Sequence, residues 1–221
     1  MEMQHPDTRL RIMDAAAAIF AEHGFAATTI RMICGRAGVN LSAVNYHFGS
    51  KEGLYCETIR HLRKTAYERY PLTWGLAPGA GPEEQLLAYI RSFLLRTTCD
   101  ERNMVFGKLV MREMSQPTSA LDMMVDEGIR SLFGRLVDIT RTLMGEEAKE
   151  ENVLACSRGV ISQCLFFLFS KAVIDRMSPE HRFDTTDVDM ISGQILSFSL
   201  HAIHGMAVEE SPLPEKEADG R

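Results

Sequence analysis

The sequence lacks the features of a membrane or secreted protein. Its strongly apolar segment at residues 164–169 is far shorter than the roughly 20 residues that span a bilayer. Residues 1–11 are polar and lack the apolar core of a signal peptide. We therefore expect a cytoplasmic protein with no membrane partner.

Paired cysteines are also missing. The chain has five cysteines, an odd number with no CxxC pair, and each lies in or beside an apolar segment. This pattern favours buried free thiols in a reducing compartment over disulfides. The five are Cys34, Cys56, Cys99, Cys156 and Cys164.

Motifs that carry catalysis are absent as well. The sequence has no Gly-rich phosphate loop, no GxSxG and no paired carboxylates in a strand-end setting. Cys56 with His61 could support thiol chemistry, but their long amphipathic helix favours packing. His201 and His204 share a helix face, yet two ligands without a nearby carboxylate or cysteine fall short of a metal site. We expect no enzyme activity, no cofactor and no metal.

The charge distribution argues only mildly against nucleic-acid binding. The net charge of −6 is averaged over the whole chain. The first 70 residues carry about +2, and the remainder carries −8. Any contact with DNA therefore depends on side chains placed on one face and not on a general basic field.

Helical periodicity dominates the chain, and no segment has the alternation of a strand. The pattern predicts an all-α fold of about nine helices, the first capped by Asp7 and ended by Gly24. A Pro/Gly-rich loop is expected at residues 71–82, and a disordered, dispensable tail at 209–221. The other helices are expected at residues 28–37, 41–48, 50–70, 83–98, 103–115, 118–144, 150–176 and 186–207.

The second and third helices, separated by a turn at Gly38, form a helix-turn-helix pattern. The third helix is too short to be stable alone, so its neighbours must hold it in place. Its outward side chains are small or polar, and no Lys or Glu occurs between Val39 and Phe48. Such a surface can approach the edges of bases in a groove.

These residues resemble the TetR family of DNA-binding regulators. The resemblance rests on IMDAA at 12–16, FAEHGF at 20–25, TTIRMI at 28–33, AGV at 37–39 and YHFGSKEGL at 46–54. The segment GVNLSAVNYHFG at 38–49 resembles the CecR-type branch, with weaker support from REMSQPT at 112–118 and from Gln163.

The resemblance implies an Ω-shaped all-α homodimer. Residues 1–56 would form a three-helix DNA-binding head, and residues 57–208 a helical domain for effector binding and dimerisation. The last two long helices would pair across the two-fold axis, and a pocket would lie in each C-terminal domain.

The resemblance also implies which side chains contact DNA. Arg31 matches a contact to base or phosphate, whereas His47 and Lys51 match phosphate contacts. Ala43 stands where the family often has Thr or Ser, so it offers only an apolar contact, for instance to a thymine methyl. Asn40 and Asn45 could instead serve local hydrogen bonds, and Tyr46 could be partly packed. The full set is Thr29, Arg31, Asn40, Ser42, Ala43, Asn45, Tyr46, His47 and Lys51.

Effector contacts are harder to predict. Polar residues within the apolar C-terminal segments are candidates, although an ordinary interior hydrogen bond is the commoner role of such a residue. Methionines could line an adaptable pocket, although at helical spacing they are more often core. The candidates are Met111, Arg112, Glu113, Arg158 and Gln163, with Ser162, His201 and His204 as weaker ones.

The sequence thus predicts a repressor that leaves a palindromic operator when a small molecule binds. The part of the fourth helix that joins the head to the body, residues 56–70, is expected to couple the DNA-binding site to the effector site. One alternative is an architectural or division-control protein of the same fold without an effector, which would have a solid core. Another is a helical ligand-binding or enzymatic domain that has lost DNA binding; the intact Arg31, Asn45, Tyr46, His47 and Lys51 argue against it.

Overall fold

A computed structural model describes residues 6–98, 101–177 and 187–208. The predicted tail at 209–221 lies outside these residues, as does Cys99. Within them, every regular element is a helix. The elements are α1 (Pro6–Ala27), α2 (Ile30–Ala37), α3 (Leu41–Phe48), α4 (Lys51–Arg69), α5 (Pro82–Thr98), α6 (Glu101–Ser115), α7 (Ser119–Met124), a π-helical turn (Val125–Ile129), α8 (Arg130–Met144), α9 (Glu150–Met177) and α10 (Val188–Val208).

The α7 helix, the π turn and α8 form one continuous rod. The backbone stays right-handed helical at Val125 (φ −63°, ψ −52°) and at Arg130 (φ −58°, ψ −48°). With this rod counted once, the described residues contain the nine helices expected from the sequence. The π turn itself was not predicted, because no pattern in the sequence marks an extra residue inserted into a helix.

The start of α1 differs from prediction. The helix begins at Pro6, so Asp7 lies inside it and the prediction that Asp7 caps the helix is wrong. Proline is suited to the first helical turn, where its missing N–H has no intrahelical partner to lose. Gly24 interrupts the helix as predicted, because its backbone is non-helical (φ 79°, ψ 171°), and a short helical segment follows this kink to Ala27.

Side-chain caps fix the helix-turn-helix. The side chains of Thr29, Asn40 and Ser50 accept hydrogen bonds from backbone N–H groups at the starts of α2, α3 and α4, at 3.3, 2.9 and 3.0 Å. Gly38 ends α2 in the left-handed conformation, with φ 64°. Each cap satisfies a donor that the first turn of a helix leaves open.

The hydrophobic core of the head extends into the body. Buried side chains of the head, including Phe20 and Val44, form one cluster with Leu109 of α6 and with Ala120 and Met124 of α7. A second cluster joins α5, α8, α9 and α10. The division at residue 56 stays a prediction, since the first cluster does not stop there.

A buried carboxylate joins three segments at this junction. Glu113 of α6 is 1% exposed. The Tyr55 hydroxyl donates to it at 2.8 Å, and the Thr118 backbone N–H donates at 2.9 Å. Burial, and then the hydrogen bond to Glu113, raise the pKa of Tyr55 well above its ordinary value, so this phenol stays protonated.

The neighbouring Arg112 binds the end of α1. Its guanidinium donates to the carbonyl of Glu22 at 2.9 Å and to that of Ala21 at 3.2 Å. The kink at Gly24 frees these carbonyls from intrahelical bonds. A Cβ atom at position 24 would lie 2.8 Å from Arg112 Nη1, so glycine leaves room for the guanidinium.

Cysteines Cys34, Cys156 and Cys164 are buried, and Cys56 is half-buried; all four are free thiols. Burial raises the pKa of each of them. This agrees with the expected structural thiols, because a raised pKa lowers the population of the reactive thiolate.

We predict that Tyr55→Phe lowers the free energy of unfolding by about 1–3 kcal/mol, because it leaves the buried Glu113 short of a donor. Urea denaturation measures the change. Tyr46→Phe is the matched control, since Tyr46 is 71% exposed, and it should leave stability unchanged. Equal stability of Tyr55→Phe and the parent would show that the hydrogen bond contributes nothing net.

Candidate nucleic-acid interface and internal cavity

Helix α3 presents one polar face to solvent and holds its other face in the core. Ser42, Asn45 and Tyr46 are exposed, whereas Val44 and Phe48 are buried. These three side chains have hydrogen-bonding ends, and the apolar Leu41 at the start of the helix is exposed beside them. An α-helix of this kind can enter the major groove and contact base edges.

The segment that carries this face contains basic residues and no acidic ones. The sequence has no acidic residue between Glu22 and Glu52, and Arg31, Arg36 and Lys51 lie in that interval. Arg31 is exposed at the start of α2. A phosphate backbone approaching α2 and α3 therefore meets no local repulsion from this segment.

Lys51 is held in place at the start of α4. Its ammonium donates to the Ala26 carbonyl at 3.2 Å and lies 4.5 Å from the centroid of the Phe25 ring. An ammonium has three donors, so others remain for an anion near the positive end of the helix dipole.

The nine residues predicted to contact DNA lie together on the head, although their side chains are not equally accessible. Thr29 and Asn40 are exposed, but their side-chain oxygens are used as caps. Ala43 and His47 are half-buried, and the His47 ring lies between Tyr46 and Phe48, with centroids at 5.3 and 6.0 Å. The nine DNA contacts stay predictions.

The body contains a cavity of about 270 Å³ between α4, α5, α6, the rod of α7, the π turn and α8, and α9. Its lining is almost entirely apolar, which is typical of sites for small organic molecules. The lining residues are Ile59, Arg63, Tyr67, Tyr89, Phe93, Arg96, Thr97, Phe106, Val110, Met114, Met124, Gly128, Ile129, Leu132, Phe133, Ile161 and Leu165.

Two arginines contribute charge to this lining. Arg63 of α4 pairs with Glu127 of the π turn at 3.2 Å. Arg96 of α5 is 3% exposed, donates from Nε to the Ser92 carbonyl at 2.9 Å, and lies 3.8 Å above the Tyr67 ring. Burial lowers the pKa of Arg96.

None of the five main effector candidates is among the lining residues. Arg112 and Glu113 serve the junction described above. Gln163 donates to the Ser199 hydroxyl at 3.2 Å and so bridges α9 and α10. Arg158 is exposed, and Met111 is half-buried. Effector contact by these residues stays untested, and the cavity favours other side chains.

Sequence reasoning missed Arg96, although a pattern marks it. The apolar stripe of α5 runs through Leu86, Tyr89 and Phe93, and the next position at helical spacing is 96. A cation on the buried stripe of a helix is unusual enough to indicate a functional group or a buried partner.

The weaker candidates Ser162, His201 and His204 are exposed. Among the described residues, no group of three or more His, Cys, Asp or Glu side chains is placed to hold a metal ion.

An apolar face on the last two helices is exposed. On α9 it recurs at i, i+3, i+7 and i+11, which is one side of a helix. By length and composition alone, α9 could also cross a membrane. The mean hydropathy of its most apolar stretch is 1.6, and 33% of that stretch is buried in the protein. The exposed residues are Phe166, Phe169, Val173, Met177, Met190 and Phe198.

Two segments of the chain match known protein families. Residues 12–58 match the family described as bacterial regulatory proteins, tetR family. Residues 82–203 match the C-terminal domain of the HTH-type transcriptional dual regulator CecR.

Relatives and solved structures show the same similarity. The HTH-type transcriptional dual regulator CecR of Shigella flexneri is 27% identical over 209 residues, which cover 87% of this chain and 89% of that protein. The hemolysin II transcriptional regulator HlyIIR has a similar structure, with TM-score 0.58, 20% identity, and coverage of 86% of this chain and 96% of its own. A TetR-like transcriptional regulator from Rhodococcus sp. RHA1 gives TM-score 0.56 and 16% identity, over 93% and 96% of the two chains.

We predict that Arg31→Ala weakens binding to duplex DNA by about tenfold and reduces the dependence of log affinity on log salt by about 1, as expected for one lost phosphate contact. Fluorescence anisotropy at several salt concentrations measures both. Arg36→Ala, which removes another exposed arginine of α2 lying about 140° away around the helix, is the control. Equal losses in the two variants would contradict a placed contact at Arg31.

Proposed function

The chain belongs to the TetR family of bacterial regulatory proteins, with a C-terminal domain of the CecR type, and we propose that it is a repressor released from its operator by a small molecule. The family assignment accounts for a DNA-binding transcriptional regulator. Repression and release by a ligand go beyond it.

The observation that supports release is that one helix touches both sites. The start of α4 packs in the head, where Leu54 is buried and Lys51 contacts α1. Further along the same helix, Ile59, Arg63 and Tyr67 line the cavity. A molecule in the cavity therefore contacts the element that positions the recognition surface.

The π turn adds a second contact between the cavity and α4. Gly128 and Ile129 of the turn line the cavity. The adjacent Glu127 accepts a hydrogen bond from Arg60 of α4 at 2.6 Å, and this hydrogen bond lowers the pKa of the Glu127 carboxyl. A ligand that displaces the turn changes these contacts with α4. The coupling free energy between ligand and DNA is then set by how differently the ligand binds to the two positions of α4.

The exposed apolar face of α9 and α10 supports a homodimer. A large apolar patch on a helical body marks an interaction surface. Pairing of this face with a second copy would place two heads on half-sites about 34–36 Å apart, as a two-fold symmetric operator requires. It would also cover the apolar stretch of α9, in line with the cytoplasmic location proposed for a regulator.

The alternative of an architectural protein without an effector predicts a solid core. The cavity of about 270 Å³ favours the ligand-responsive function instead.

The test is a selection from random duplexes with the full chain, followed by titration at two salt concentrations. We expect a palindromic site with half-sites about one helical turn apart and an affinity that falls steeply with salt. Weak binding without any enriched sequence would refute the proposal.

We also predict that Phe198→Asp converts the dimer to a monomer and lowers operator affinity, because it places a charge in the apolar face. Phe198 is 67% exposed in the single chain, so the substitution should not disturb the fold. Sedimentation velocity at micromolar concentration measures the mass. Leu10→Asp, at an exposed apolar position of α1, should remain dimeric; a dimer in both variants would exclude this interface.

A further inference from the structure

Arg96 is a buried cation without a buried anion. Its side chain is enclosed within the body, and its Nη1 atom has no hydrogen-bond partner among the described residues. The titratable groups close enough to affect its pKa are Tyr67, Tyr89 and Cys164, all of them neutral at pH 7.

Neighbouring arginines differ in having a partner for their charge or donors, although Nη1 of Arg63 also lacks a hydrogen-bond partner among the described residues. Arg63 pairs with Glu127, and Arg91 of the same helix α5 pairs with Asp189 at 2.8 Å. Arg112 donates to two backbone carbonyls. Arginine remains charged even when buried, and an uncompensated buried charge is strongly unfavourable. Arg96 has no carboxylate partner among the described residues, whereas Arg63 and Arg91 each have one.

The position of Arg96 directs this unsatisfied charge at the cavity, which its side chain lines. The guanidinium lies against the Tyr67 ring and donates through Nε to the Ser92 carbonyl, so its orientation is fixed. A planar guanidinium matches the geometry of a carboxylate and binds it through two parallel hydrogen bonds.

We propose that the cavity binds an amphipathic organic carboxylate, with its acid group on Arg96 and its apolar body against the aromatic wall. This inference rests on the proposed function, of which it specifies the ligand. Phe93, Phe106 and Phe133 form that wall. A neutral apolar ligand would leave the guanidinium unpaired, and a cation would be repelled.

Two phenols strengthen the preference for an anion. Tyr67 and Tyr89 line the cavity beside Arg96. Burial raises the pKa of both, so each hydroxyl stays protonated and can donate to a carboxylate oxygen. The polar end of the cavity therefore offers donors and positive charge and no carboxylate among the described lining residues.

The experiment compares matched acids and primary amides, which share an apolar body and differ in charge. The probes are 2-naphthoate with 2-naphthamide and octanoate with octanamide, titrated by calorimetry into the full-length protein. We expect at least one acid to bind about tenfold or more tightly than its amide, as expected for hydrogen bonds to charged groups. Equal affinities, or no binding by either acid, would overturn the proposal.

Variants locate the preference. Arg96→Met should abolish the preference for the acid, and Arg96→Lys, which keeps the charge, should retain part of it. Arg91→Met removes a cation from the same helix outside the cavity and should bind as the parent does. A preference that survives Arg96→Met in a folded protein contradicts the assignment. The comparison in the unmodified protein tests the proposal even where a variant does not fold.

The outcomes separate this inference from the proposed function. Should Arg96-dependent acid binding occur without an operator being found, the ligand site stands and the repressor proposal fails. An operator found together with equal binding of acids and amides gives the opposite result.

Discussion

Two adjacent side chains of α6 hold the head against the body, and the remaining architecture depends on them. Glu113 is buried, and its oxygens are satisfied only with their donors in place, among them Tyr55. Arg112 satisfies carbonyls that the kink at Gly24 leaves open. Because the two residues point in different directions around α6, they fix α4 and α1 at once.

These junctions constrain how a signal can pass through the molecule. The α6 helix anchors the head, whereas α4 runs from the head to the cavity wall, where Arg63 contacts the π turn. A packed core responds to a new occupant by moving between discrete arrangements. The π turn is a suitable place for such a change, because an extra residue in a helix weakens its hydrogen bonding locally.

Helix number, the helix-turn-helix boundaries and its caps could be predicted from the sequence, because they depend on local periodicity and on residues such as Asn40 and Gly38. The cavity could not be predicted, because it forms where several helices pack together and no local sequence pattern encodes that packing. Arg112 and Glu113 show the limit of sequence-based prediction. Two polar residues in an apolar segment indicate buried hydrogen bonds, but the sequence does not show whether the partner is a ligand or another part of the chain. Arg96 could have been identified from its helical phase alone.

In helix α3, different side chains pack in the core and face solvent. Val44 and Phe48 hold it in the core, whereas Ser42, Asn45 and Tyr46 carry no share of that packing. Substitutions on the outer face therefore leave folding nearly untouched. In evolutionary terms, the outer face of α3 can accept single mutations without first acquiring compensating stability, so duplicated genes could diverge in this face while keeping the same packed core.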